Sequence, residues 1–141
     1  MVSQGAKTEP TLLSEIASNE SYKKWARIGA IYALGFLNHK ASAKVLISIL
    51  RKRSESLQVR SHAAEALGNM REDRASSTLG GILMSREPAS LKKWCVYALS
   101  EIGTVRARAI LKKFAATNPR GVLARELKSV AHRWVRGVMR G

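Results

Sequence analysis

Three histidines, one cysteine and ten carboxylates are the groups of this 141-residue chain best suited to bond-making chemistry. Their spacing argues against it. A zinc site takes about four ligands. His39, His62 and His132 share no ligand spacing, and Cys95 has no companion cysteine. Cys95 falls on the apolar face of a helical pattern, so it reads as a small buried hydrophobe rather than a nucleophile. His62 reads as a partly buried packing residue. No nucleophile elbow and no phosphate-cradling glycine loop accompanies the serines. The acids fall mostly at helix ends and turns, with no paired carboxylate site. The expectation is a non-enzymatic chain with no metal and no cofactor.

The basic residues carry more functional information. Lys and Arg number 25 against 10 acids, a net charge of +15. A small chain so far from neutrality is attracted to polyanions and acidic proteins. The excess is uneven: residues 1–87 carry a net of +5 and residues 88–141 a net of +10. Arg106, Arg108, Lys112 and Lys113 lie outside the apolar arc of Ala107, Ile110, Leu111 and Phe114, which predicts exposure. The last helical stretch adds Arg120, Arg125, Lys128, Arg133, Arg136 and Arg140. A solvated face and a basic amphipathic helix on a membrane compete with an acidic-protein or nucleic-acid site, and the membrane is the weakest of these. No apolar run reaches the ~18–20 residues of a membrane span. The start, Met1-Val-Ser-Gln-Gly, lacks a secretory core and a myristoylation pattern. One cysteine cannot form an internal disulfide, so a cytoplasmic location is expected.

These residues are positioned by helices. Residues 1–9 read as a flexible N-terminus, and Pro10 opens a short helix over about 10–18 with Leu12, Leu13 and Ile16 as its stripe. A helix–turn–helix pattern then recurs three times. Ala26, Ala30, Ala33, Leu34 and Leu37 occupy one face at i, i+4, i+7, i+8 and i+11. Val59, Ala63, Ala66, Leu67 and Met70 repeat it, then Leu91, Cys95, Ala98, Leu99 and Ile102. The second helices carry Leu46, Ile49, Leu50; Leu79, Ile82, Leu83; and Leu111, Phe114, Ala115. Small residues at Ala33, Ala66 and Ala98 predict close helix approach, and stacking of the pairs gives the shared core that one pair cannot bury alone. Asn118-Pro119 reads as the cap and first turn of a last helix to about Met139, with Leu123, Leu127, Val130, Trp134 and Val138 as its stripe.

The units resemble HEAT-like repeats, particularly the short kind named after the phycobilisome lyases. The resemblance rests on Val59-Arg60, Ala63-Ala64-Glu65-Ala66-Leu67-Gly68 and Ala75…Leu79, echoed by Leu91-Lys92, Ala98-Leu99, Ile102-Gly103 and Ala107…Leu111, and by Ala26-Arg27 with Ala33-Leu34-Gly35. It implies an all-α fold: a short right-handed α-solenoid of three helical pairs with flanking N- and C-terminal helices. Residues 10–141 would form one domain, with units at about 22–54, 57–86 and 89–117 and a capping helix over 119–139. It implies that Arg27, Arg60 and Lys92, with Arg125 as a weaker match, bond the preceding turn, Glu55 and Glu87 being available as partners. It implies that second helices line the concave surface, so that Lys44, Arg51, Arg108 and Lys112 point towards one groove. The early proline common in second helices is absent. Gly80-Gly81 is unusual, because each helical glycine costs ~1 kcal/mol relative to alanine. A locally loose helix is the favoured account, with close approach by a neighbouring helix or a partner as the other.

HEAT-like proteins host many roles. The reading is an interaction module binding an acidic protein through Lys44, Arg51, Arg108, Lys112, Lys113, Arg120, Arg125, Lys128 and Arg136, as adaptor, assembly factor or inhibitor. Nucleic-acid binding in a basic concave groove is the first alternative, and an accessory role in bilin attachment the second. HEAT-like hydroxylases carry His-Glu pairs, and no His-Glu dipeptide occurs here. The middle unit, with the least charged second helix, is expected to take the smallest part in binding.

Overall fold

A computed structural model describes residues 8–140, with side chains as far as Gly137. Val138 and Arg140 of the expected stripes, and residues 1–7 of the expected flexible N-terminus, lie outside the described side chains or residues. Eight α-helices follow in order among the described residues: α1 (Glu9–Ser18), α2 (Lys24–Leu37), α3 (Ala43–Arg51), α4 (Leu57–Asn69), α5 (Ser76–Leu83), α6 (Ala89–Ile102), α7 (Val105–Ala115) and α8 (Val122–Arg140). Single 3-10 turns, Lys40–Ser42 and Asp73–Ala75, lead into α3 and α5.

Local chemistry sets the helix starts. Thr8 caps α1 by accepting from the Thr11 amide at 3.3 Å, and Pro10 sits in its first turn. Ser56 accepts from the Val59 amide at 3.1 Å and Thr104 from the Ala107 amide at 3.1 Å, each satisfying an otherwise orphaned donor. Asn38 and Gly103 end α2 and α6 in the left-handed region, at φ 55° and 65°. Asn118-Pro119 departs from its expected role. Asn118 is left-handed at φ 55° and closes the end of α7 through its amide to the Ala115 carbonyl. Gly121, at φ 66°, makes the second reversal, and α8 begins at Val122. Two reversals are needed because the chain must turn out of α7 before it can re-enter a helix.

The first helices α2, α4 and α6 pack side by side in one layer, the second helices α3, α5 and α7 lie in the other, and α8 packs on α6. The result is an all-α helical-repeat solenoid. Its core joins Ile31, Leu34, Leu46 and Leu50 to Val59, Leu67, Leu79 and Leu83 and on to Leu91, Leu99, Leu111 and Phe114. Leu37 is a correction: it is 45% exposed, whereas Met70 and Ile102 at the matching positions are buried. Among the described residues only α1 precedes α2, so no complete pair covers that end. Ala115 is also exposed, and Ala26 and Ala33 are only half-buried.

Close approach in the first layer is a glycine-to-alanine contact. A Cβ on Gly35 would lie 2.9 Å from the Cα of Ala66, and one on Gly68 would lie 2.7 Å from the Cα of Ala98. Gly68 is thus a packing residue inside α4 more than a helix terminator. Gly80 belongs with them, since a Cβ there would lie 2.9 Å from Cγ2 of Ile110 on α7. The loose-helix reading fails for Gly80, and the neighbouring-helix reading holds. Gly81 has open space around it.

Buried arginines tie successive layers. The Arg27 Nε donates to the Ala17 carbonyl at 3.0 Å, and its terminal nitrogens reach Glu55 at 3.0 and 2.5 Å. Arg60 repeats the arrangement, donating to the Leu50 carbonyl at 2.9 Å and to both oxygens of Glu87. Lys92 donates to the Ser85 carbonyl at 2.5 Å. Arg125, by contrast, is exposed. Hydrogen bonds from Arg27 hold Glu55 below the ordinary carboxylate range, and those from Arg60 do the same for Glu87.

Candidate partner-binding surface

The outward side of the second-helix layer carries the candidate surface. Lys44, Ser48 and Arg51 project from α3 at i, i+4 and i+7, so they share one exposed face. Lys44 and Arg51 line an open groove of about 450 Å³ with Ile47, Ser48 and Lys52. Arg51 also enters the adjoining groove between α3 and α5, about 510 Å³, with Arg53, Ser77, Thr78 and Gly81. Glu87 lies at the base of that groove, bound to Arg60. Lys52 pairs with Glu20 at 2.6 Å, whereas no carboxylate among the described residues lies within ion-pair distance of Lys44, Arg51 or Arg53.

The middle unit, expected to contribute least, supplies the floor of this second groove. The reason is geometric: a groove between stacked helices draws one wall from each unit, and the small residues Ser77, Thr78 and Gly81 leave room for it. Arg106 donates to the Ser77 hydroxyl and brings a further cation to its edge. Arg53 stood outside the expected set. It belongs to the cationic run Arg51-Lys52-Arg53, in which only Arg51 lies within α3; that run was the available sequence signal.

The other expected residues divide. Arg108 does not join Lys44 and Arg51. Its Nε donates to the Gly103 carbonyl at 3.1 Å, and its guanidinium lies 4.8 Å from the centroid of the Trp134 ring. This cation–π contact fastens α7 to α8. Lys112, Lys113 and Arg120 are exposed. Arg125, Lys128 and Arg136 line a separate open groove along α8, about 440 Å³, with Ser129, His132 and Arg133. Arg133 is anchored across to Ser100 on α6 at 3.0 Å. Two groups of the basic residues therefore line separate grooves, one on α3–α5 and one on α8.

The remaining chemistry-bearing groups serve packing. Cys95 is buried, and desolvation pushes its thiol up to about 12, leaving it neutral near pH 7. His62 is partly buried and sits 3.3 Å from Glu65. Asp73 accepts from the hydroxyls of Thr104 at 2.7 Å and Ser76 at 2.9 Å, and these bonds lower its pKa. Among the described residues no group of three or more His, Cys, Asp or Glu side chains is placed to hold a metal ion. No described helix is long and apolar enough to cross a membrane.

A stack of helical pairs with a shared core and open outer faces defines a repeat protein of the α-solenoid class. The chain belongs to the HEAT-repeat family, whose model matches residues 9–94 and 44–131. No curated protein matches it at a significant level. HEAT repeats generally mediate protein–protein interaction, and the family is typically a non-enzymatic scaffold.

Proposed function

We propose that this chain is a non-enzymatic interaction module that binds an acidic protein through the cationic face of its second helices. One observation carries the reading. Lys44 and Arg51 stand on adjoining open grooves with no carboxylate at ion-pair distance among the described residues, and Arg53 joins them in the groove whose one carboxylate, Glu87, is already bound to Arg60. Arginine favours such a role because its planar fork pairs two carboxylate oxygens at once. Gly81 leaves the groove floor open to a partner's backbone or carboxylate. The test is affinity purification of a defined acidic partner by wild type and by Arg51→Glu/Arg53→Glu. The double variant is expected to lose the partner and keep its thermal stability. Retention of the partner at full affinity would overturn the reading.

A second reading, nucleic-acid binding, is favoured by the α8 groove, where Arg125, Lys128, Arg133 and Arg136 line one side of a helix. It predicts duplex affinity that falls with salt at a log–log slope near −0.9 for each phosphate neutralised. Absence of duplex binding at about 0.05 M salt would remove it, because electrostatic attraction is then barely screened.

A further inference from the structure

The outer face of α2 is apolar and exposed, whereas that of α4 is polar and the rings on that of α6 are half-buried. Trp25, Tyr32 and Phe36 are 75%, 60% and 79% exposed, and Tyr22 and Leu37 flank them at 44% and 45%. Trp25, Gly29, Tyr32 and Phe36 follow at i, i+4, i+7 and i+11, which places them on one stripe. In α4 the matching positions are Gln58, His62, Glu65 and Asn69; in α6 they are Ser90, Trp94, Tyr97 and Glu101, whose two rings are half-buried and pack edge to face, so only in α2 do the aromatics stand open. Aromatic side chains present ~150–250 Å² each, and a soluble monomer rarely exposes a contiguous apolar patch beyond a few hundred Å². The stripe lies on the first-helix layer, away from the basic grooves of the second.

We propose that this stripe is a self-association surface, on which a second copy of the chain lays its own α2 antiparallel. Three observations select that occupant. The first is area: scaled by their exposure, the three rings with Tyr22 and Leu37 offer roughly 600 Å², the larger part of the ~800 Å² per partner of a standard interface. The second is the absence of charge. From Trp25 to Asn38 the only ionisable side chains of α2 are the buried Arg27 and the phenol of Tyr32, so two chains of net charge +15 can meet here without opposing cations. The third is the polarity of the helix ends. Lys23 and Lys24 stand at the N-terminus of α2, Lys23 makes no capping bond, the first turn holds no acid, and the last turn holds no base. That arrangement opposes the helix's own dipole. In an antiparallel pair each Lys24 comes beside the C-terminal carbonyls of the other α2, where its charge is favourable.

Gly29 marks the crossing point. It is exposed, and a Cβ there would meet nothing within 4 Å, so the interior of the chain does not require glycine. A crossing at Gly29 lets the two backbones approach and sets Phe36 of one copy beside Tyr22 of the other.

Sedimentation velocity across a concentration series tests this at about 0.05 M and about 0.5 M NaCl. The expected result is a monomer–dimer equilibrium that tightens with salt, because salt screens the repulsion between like-charged chains while apolar contact persists. Tyr32→Ser/Phe36→Ser is expected to weaken it at least tenfold with unchanged circular dichroism, the substituted side chains being exposed. Gly29→Cys is expected to give a disulfide-linked dimer under mild oxidation, with the buried Cys95 inert. A monomer at every concentration and salt would overturn the proposal. So would a dimer indifferent to the double substitution, or one that weakens as salt rises.

Discussion

Arg60 and Glu87 form a two-pronged ion pair between α4 and the residue preceding Pro88, with side chains 2% and 10% exposed. Because the Arg60 Nε also holds the Leu50 carbonyl, one side chain joins α3, α4 and the approach to α6. Arg27 and Glu55 form the same joint one unit earlier.

Removing one partner of such a pair strands a buried charge, which costs more than the pair is worth. Glu87→Gln and Arg60→Met are each expected to lower unfolding free energy by about 3 kcal/mol or more, read by urea denaturation. Arg60→Met/Glu87→Leu is expected to recover part of the loss, because it leaves no unmatched charge. Equal losses for single and double variants would contradict this account.

Acid should loosen the stack at these joints. Glu55 and Glu87 have folded pKa values depressed by their arginines. A carboxyl lowered on folding contributes stability that is fully present above its unfolded pKa and is lost as pH falls through the folded value. The melting temperature is therefore expected to hold near neutrality and to fall below about pH 4.3, the ordinary glutamate value. Glu55→Gln/Glu87→Gln should flatten that fall.

The glycines should separate by what faces them. Gly68→Ala sets a methyl against the Ala98 backbone and is expected to cost about 1–3 kcal/mol. Gly81→Ala meets nothing and should stabilise α5 by up to ~1 kcal/mol. Paired thermal melts decide the matter, and shifts of the same sign would be inconsistent with the packing described.

Thr104 has two duties, capping α7 and donating to Asp73 from the preceding unit. Thr104→Ala is expected to destabilise by about 1–2 kcal/mol, the upper part of the capping range. Thr104→Ser, which keeps the hydroxyl, should restore most of it in the same chemical denaturation series.

The aromatic stripe of α2 shows where sequence reasoning fell short. Trp25, Tyr32 and Phe36 lie at helical spacing, and apolar residues at that spacing ordinarily face a core. The three-fold register named the face of Ala30 and Leu34 as the buried one, and both are buried, but that register carries no information on whether anything covers the opposite flank. The assignment of Leu37 failed for a related reason: periodicity names a face without showing whether anything covers its end.

What the amino-acid order determined by itself is local or repeated: helix periods, the helix opened at Pro10, the three-fold register, the inert surroundings of Cys95, and the arginine–glutamate joints implied by family resemblance. Those features depend on residues a few positions apart or on one pattern stated three times. Tertiary structure alone decided the rest. It set Arg108 on Trp134 instead of beside Arg51, built a groove floor from the weakly charged middle unit, pressed Gly80 against Ile110, and left the rings of α2 facing outward. Each depends on the distance between side chains about thirty residues apart or on which helix flank a neighbour occupies. Stacking geometry fixes those quantities, and a one-dimensional pattern does not contain them.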